Sequence, residues 1–107
     1  MSYKIEYTEE ARTDLRKLDG SQVKQVLEAI QRVSENPLPK SDGGYGNPLG
    51  NRQGNNLTGY CKIKLSKLGI RIVYRIVRTD GVMKIIVIAA RADNEVYELA
   101  AKRTNPK

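Results

Sequence analysis

A chain of 107 residues has room for a single domain, residues 1–107, with a modest core. A hydrophobic fraction of 39% excludes a disordered chain, and the absence of Trp and Phe leaves Ile, Val, Leu and Tyr to build that core. Nineteen Lys and Arg against twelve Asp and Glu give a net charge of +7, and the absence of His excludes His-based acid–base or nucleophilic catalysis and the usual zinc sites.

Residues 3–7, YKIEY, alternate enough for a short first strand. Thr8 offers a helix N-cap, and Glu9 and Glu10 suit the positive end of the helix dipole. Ala11, Leu15 and Leu18 make one apolar stripe, and Asp19-Gly20 ends that helix. Ser21 is expected to cap a second helix, whose stripe is Val23, Val26, Leu27, Ile30 and Val33 and which Asn36-Pro37 closes. The two helices form a hairpin.

From Pro37 to Gly59 the composition changes: six of the nine glycines and three of the four prolines lie here. A stretch this long without apolar periodicity reads as a loop. Tyr60 to Leu65 and Ile70 to Val77 then alternate as strands around the turn SKLG, and RTDG at 78–81 is a second hairpin turn. Val82 to Ala90 is nearly all apolar, as expected for a central strand covered on both faces. Glu95 to Lys102 reads as a short C-terminal helix, after which RTNPK frays. The expected class is α+β: a first strand, a helical hairpin, an antiparallel three-strand meander completing a four-stranded sheet, and a short C-terminal helix, with the helices on one face.

No secretory signal is read in MSYKIEYTEE, no apolar run is long enough for a bilayer, and Cys61 alone can make no internal disulfide. A cytoplasmic protein without a membrane partner is expected. Neither a phosphate-binding GxxxxGK[ST] loop nor a dinucleotide GxGxxG occurs, so no cofactor or metal is expected and chemistry would rest on Lys, Arg, Tyr and carboxylates.

Side chains alternate across a strand, so Cys61, Ile63 and Leu65 share one face with Ile70, Ile72, Tyr74 and Ile76. Lys62, Lys64, Arg71 and Arg75 then project from the other. Like charges opposite one another on a strand pair cost up to about 1 kcal/mol per pair. Lys and Arg also solubilise many sheet faces, so alternation alone does not define a site. Arg91 adds to it, because it closes an otherwise apolar strand, and Tyr97 lies where the terminal helix could return to the same area.

The segments GYCKIKLSKLGIRIVYRI and VMKIIVIAARADNEVY resemble the toxins of bacterial RelE/ParE toxin–antitoxin pairs, in particular RelE-type mRNA interferases. The resemblance covers nearly the whole chain and is strongest from Gly59 to Tyr97. It implies a RelE-like fold and a catalytic set in which Lys62 and Lys64 match a lysine pair, Arg71 a strand arginine, Arg91 a terminal arginine, and Tyr97 a tyrosine beyond it. Arg75, Lys67 and Arg52 are expected RNA contacts, although the loop bearing Arg52 could equally touch a protein partner or move freely. The implied activity is metal-independent cleavage of mRNA in the ribosomal A site, with the ribosome and a cognate antitoxin as partners.

That residue set suits such chemistry. Attack of a 2′-hydroxyl on the adjacent phosphorus needs a base, charge stabilisation on the phosphoryl oxygens, and an acid for the departing 5′-oxygen. Without His, a lysine is the candidate base, since neighbouring cations disfavour a protonated amine. Either lysine could serve. Arg71 would brace the phosphoryl oxygens, Arg91 would stabilise or protonate the leaving oxygen, and Tyr97 would stack on a splayed base or hold the nucleotide. The alternatives are a ParE-type toxin that inhibits DNA gyrase without cutting RNA, and a non-catalytic RNA-binding module.

Overall fold

The computed structural model describes residues 2–52 and 55–104. The chain runs through β1 (Lys4–Tyr7), α1 (Glu9–Arg16), α2 (Gly20–Val33), a short 3-10 turn (Lys40–Asp42), β2 (Asn47–Arg52), β3 (Asn55–Leu65), β4 (Ile70–Val77), β5 (Val82–Ala89) and α3 (Asp93–Thr104). Local chemistry sets the first helical boundaries. Thr8 Oγ1 accepts the Ala11 N–H at 3.0 Å and starts α1. Asp19, not Ser21, caps α2: its carboxylate takes the Gln22 N–H at 2.9 Å while Gln22 reaches back to the Asp19 N–H at 3.2 Å. That reciprocal pair is a capping box, and Ser21 only donates its hydroxyl to Asp19.

The sheet has five strands in the order β1-β5-β4-β3-β2, where four were expected. The extra strand comes from the stretch read as a loop. β3 begins at Asn55, five residues before its apolar alternation, and β2 pairs antiparallel with it. Pro and Gly in NPLGNR hide that strand from any alternation test, and Pro48 and Gly50 flank a shift in its register. Gly50 and Gly59 take φ of 63° and 89° there, a conformation other residues adopt at a cost. β1 completes the sheet at the other edge, pairing parallel with β5 along Lys4–Tyr7.

Two apolar layers result, one on each face. Val26, Ile30 and Val33 of α2 and Ala11 of α1 pack on Ile63, Ile72, Tyr74, Met83 and Ile85. Leu27, expected in that stripe, is instead 40% exposed. Val96, Tyr97 and Ala100 of α3 pack on the opposite face, against Leu49, Leu57, Val73 and Val87. The helices therefore cover both faces, not one. Burial of β5 on both faces follows from this sandwich. α3 also extends past Lys102 to include Arg103 and Thr104, while the rest of the tail expected to fray lies outside the described residues. Among the described residues no helix is long and apolar enough to cross a membrane.

Candidate active site

The strand register decides which cations meet. Lys62 lies opposite Val73, Lys64 opposite Arg71, and Arg71 opposite Ala89. Directly opposed residues have Cβ atoms about 5 Å apart, so the Lys64 and Arg71 stems run side by side. All of these face α3. The strands supply one row of cations along the edge of the apolar patch that α3 covers.

Tyr97 reaches that row from above. Lys62 Nζ donates to Tyr97 Oη at 2.9 Å and lies 5.6 Å from the ring centroid. The tyrosine itself is only 6% exposed, its ring held in the cluster with Val96, Ala100, Val73 and Val87. It meets the cationic row through its hydroxyl and, at longer range, through its ring, over which Lys62 lies. The sequence expectation of base stacking on Tyr97 does not fit a ring so covered.

Arg71 and Arg91 are joined through the backbone. Arg71 Nη1 donates to the Arg91 carbonyl at 2.6 Å, with a longer contact to the Gly69 carbonyl at 3.5 Å. This ties the chain just after β5 to the middle of the row. The Arg91 side chain is exposed and lines a hollow of about 300 Å³ with Glu95, Glu98, Leu99 and Lys102. Lys62, Lys64, Arg71 and Tyr97 thus come from β3, β4 and α3 and are linked by contacts or register, while Arg91, two residues past β5, is joined to Arg71 through its backbone carbonyl.

The three outlying candidates are placed differently. Arg75 shares the face but pairs with Tyr60, further along the sheet, and Lys67 stands exposed in the β3–β4 turn. Arg52 pairs with Asn55 at the far end of the β2–β3 ribbon. By strand rise its backbone lies roughly 20 Å along the ribbon from that of Lys62. The residue of β2 that does lie opposite Lys62 is Asn47. Nothing in the sequence marks it, since its strand carries no periodicity.

Among the described residues no group of three or more His, Cys, Asp or Glu is placed to hold a metal ion. Elsewhere Cys61 and Tyr74 are buried on the opposite face. Burial raises the pKa of the Cys61 thiol, and burial together with the neighbouring Cys61 raises that of the Tyr74 phenol further. Tyr74 Oη donates to the Pro37 carbonyl at 2.7 Å, so it is a structural group, remote in role from the cationic row.

Residues 5–95 match the family described as the ParE toxin of type II toxin–antitoxin systems. The chain belongs to that family, within the RelE/ParE superfamily of type II toxins. Among curated relatives it is similar to the mRNA interferase toxin RelE of Escherichia coli, at 29% identity over 103 residues covering 96% of this chain and 98% of the relative. The toxin's fold is that of a mutant E. coli RelE solved in the free state, with a TM-score of 0.76 and 29% identity over 96% of this chain and 98% of that one. It is also similar to a chain of the RelBE2 toxin–antitoxin complex from Mycobacterium tuberculosis, with a TM-score of 0.68 and 29% identity over 87% of this chain and 95% of that one. The RelE-like fold expected from the sequence is therefore present, with the fifth strand as its amendment.

Proposed function

We propose that this toxin is a ribosome-dependent endoribonuclease that cuts mRNA in the A site and so blocks translation. The observation that carries the reading is the Lys62–Tyr97 contact at 2.9 Å, flanked on the same face by the Lys64–Arg71 cross-strand pair. Similarity to a protein named mRNA interferase supports it. The 2′-hydroxyl attacks the neighbouring phosphorus, a lysine takes its proton, the bond to the 5′-oxygen breaks as that oxygen takes a proton from water, and a 2′,3′-cyclic phosphate is left. Lys62 or Lys64 is the base, the other orienting the phosphate. Arg71 braces the phosphoryl oxygens, since a planar fork matches two of them. Arg91 stabilises the leaving oxygen by charge, since a guanidinium is too weak an acid to be a good proton donor.

Tyr97 acts through Lys62. Its hydroxyl fixes the lysine's ammonium in place, which makes it a positioning residue in the resting protein. No group in this set replaces the alignment of an RNA strand for in-line attack, and that alignment is the ribosome's part. A net charge of +7 suits docking on ribosomal RNA, with the steep salt dependence of phosphate contacts. A cognate antitoxin is the second partner, by likeness to toxins solved in complex with theirs.

A second reading has its own support: the matched family carries the ParE name, and a ParE-type toxin would inhibit DNA gyrase without cutting RNA. A gyrase inhibitor would have no need of the Lys62–Tyr97 geometry. Primer extension on translated message, run with wild type and Arg71→Ala, tests the first reading. Cuts that need the ribosome and vanish in the variant support it. Inhibited gyrase supercoiling without cuts replaces it with the second, and neither effect leaves a basic binding module.

A further inference from the structure

β1 is shorter than β5. Its last pair is Tyr7 with Ile85, after which the chain leaves into α1, and the Thr8 N–H caps the Ile85 carbonyl at 3.2 Å. Beyond that point β5 has β4 on one side and, among the described residues, no strand on the other. Its register on β4 also slips there, passing from Val73–Val87 to Tyr74–Ile85 with Ile86 as the extra residue. Backbone groups left open at such a place must find other partners.

They find an ion pair. The Ile88 N–H donates to Asp14 Oδ2 at 3.0 Å, and the Ile86 carbonyl accepts from Arg103 Nη1 at 2.8 Å. The guanidinium also grips Asp14 through both arms, at 2.8 and 3.2 Å. Asp14 is 8% exposed, and the Arg103 side chain 16%. One carboxylate from α1 and one guanidinium from the last turn of α3 thus stand in for the missing strand. This is a built arrangement, because every hydrogen bond in it completes another.

Arg103 also prolongs the inner stripe of α3. Val96, Tyr97 and Ala100 face the sheet, and Arg103 is the next position on that side. The apolar part of the stripe is short, so the pair supplies the anchor at the far end. Tyr97 lies six residues away, about 9 Å along a helix.

We infer that the Asp14–Arg103 pair is a positioning element for the site: by fastening α3 to the open edge of β5, it holds Tyr97 against Lys62. The catalytic half of this inference rests on the nuclease reading above; the structural half does not. A helix that swings at Arg103 moves the Tyr97 hydroxyl off the ammonium. Displacements on the order of 1 Å at such a site cost about 10²-fold in rate.

The full chain is tested with Asp14→Asn, which keeps an oxygen for the Ile88 N–H but gives up the charge that holds Arg103. Amide hydrogen exchange in α3 is expected to rise roughly tenfold or more, with β3 and β4 unchanged. Equal acceleration in every element, or none in α3, overturns the inference. In cleavage of translated message, kcat should fall about 10-fold to 100-fold with the KM for ribosomes little changed. In a Tyr97→Phe background the same substitution should cost nothing further, whereas additive losses would mean that the pair does not act through Tyr97. If Asp14→Asn does not fold, Arg103→Lys carries both arms, keeping the charge and losing one arm of the fork. If the wild type cuts no RNA, the nuclease reading fails on its own, and hydrogen exchange alone decides whether the pair fastens α3.

Discussion

The two faces of the sheet are made by alternate residues of the same strands, yet they are built to opposite ends. On the hairpin face, Ile63, Ile70, Ile72, Tyr74, Met83 and Ile85 meet α1 and α2 in one dry layer. On the α3 face a smaller layer of Leu57, Val73, Val87, Val96, Tyr97 and Ala100 gives way at its border to Lys62, Lys64 and Arg71. A helix of 12 residues covers only part of that face. The border is where a cation can be close to apolar surface and still meet a polyanion. Fully covered, the row would have no access to phosphate. Fully wet, its charges would act through a solvent dielectric that weakens each of them severalfold. On the nuclease reading proposed above, strand alternation separates the residues of stability from the strand-borne residues of activity.

Arg71 and Ile72 put the largest numbers on that separation, since they are neighbours in β4 and point to opposite faces. Arg71→Ala should lower message cleavage about 10²–10³-fold, the usual cost of losing one transition-state donor. Its melting temperature should stay near that of wild type, because Arg71 is only half-buried. Ile72, fully buried, should behave the other way. Ile72→Ala should cost about 2–5 kcal/mol in stability, read by urea denaturation, while the folded fraction keeps its cleavage rate. A destabilised but active Arg71→Ala would break the comparison at its root.

Tyr97 belongs to both categories, and Tyr97→Phe sharpens the boundary between them. The ring stays in the α3 layer and only the hydroxyl that holds Lys62 is lost. The expected result is a fall in cleavage of roughly 10-fold to 100-fold, the range for a hydrogen bond to a charged group. Thermal stability should not change measurably. If activity survives and stability falls, Tyr97 is a packing residue and Lys62 needs no help from it.

On the dry face the close approach of Gly46 offers a comparable test. A Cβ at that position would lie 2.5 Å from Tyr74 Oη, 2.7 Å from the Pro37 carbonyl and 3.0 Å from Cys61 Sγ. Two of those neighbours are the partners of one buried hydrogen bond. Gly46→Ala should therefore cost about 1–3 kcal/mol, as overpacking of a full interior does, with cleavage by the folded protein intact.

Much of this division was legible in the sequence because it rests on alternation. Period two over residues 60–65 and 70–77 fixed which side chains share a face, and β4 is found at Ile70–Val77 as expected. Convergence of Tyr97 on Lys62 was legible as a helix that could return to the cationic face, and family resemblance alone named the pair; a spacing of 35 residues says nothing by itself. β2 was not legible at all, since its pairing partner, not its own pattern, makes it a strand. The same holds for Asp14. In the α1 pattern it reads as a polar position, yet it is buried because β5 outruns β1 and needs an acceptor there. Where a residue's task is set by an irregularity in another element, periodicity carries no trace of it.

The smallest expected effect concerns alkaline pH, and it belongs to the dry face. The buried Cys61 thiol and Tyr74 phenol have pKa values raised above the ordinary 9.0 and 10.0. Each holds its proton more tightly folded than unfolded. Their contribution to stability is thus complete below pH 9 and is lost progressively as the unfolded chain begins to release those protons. Urea midpoints taken from pH 8 to pH 11 should fall across that window, and Cys61→Ala should flatten the earlier part of the fall. Arg71→Ala should leave the slope as it is, because its side chain stands on the other face. A slope that instead followed the cationic row would mean that the two faces titrate as one, and the separation between fold and site would not hold.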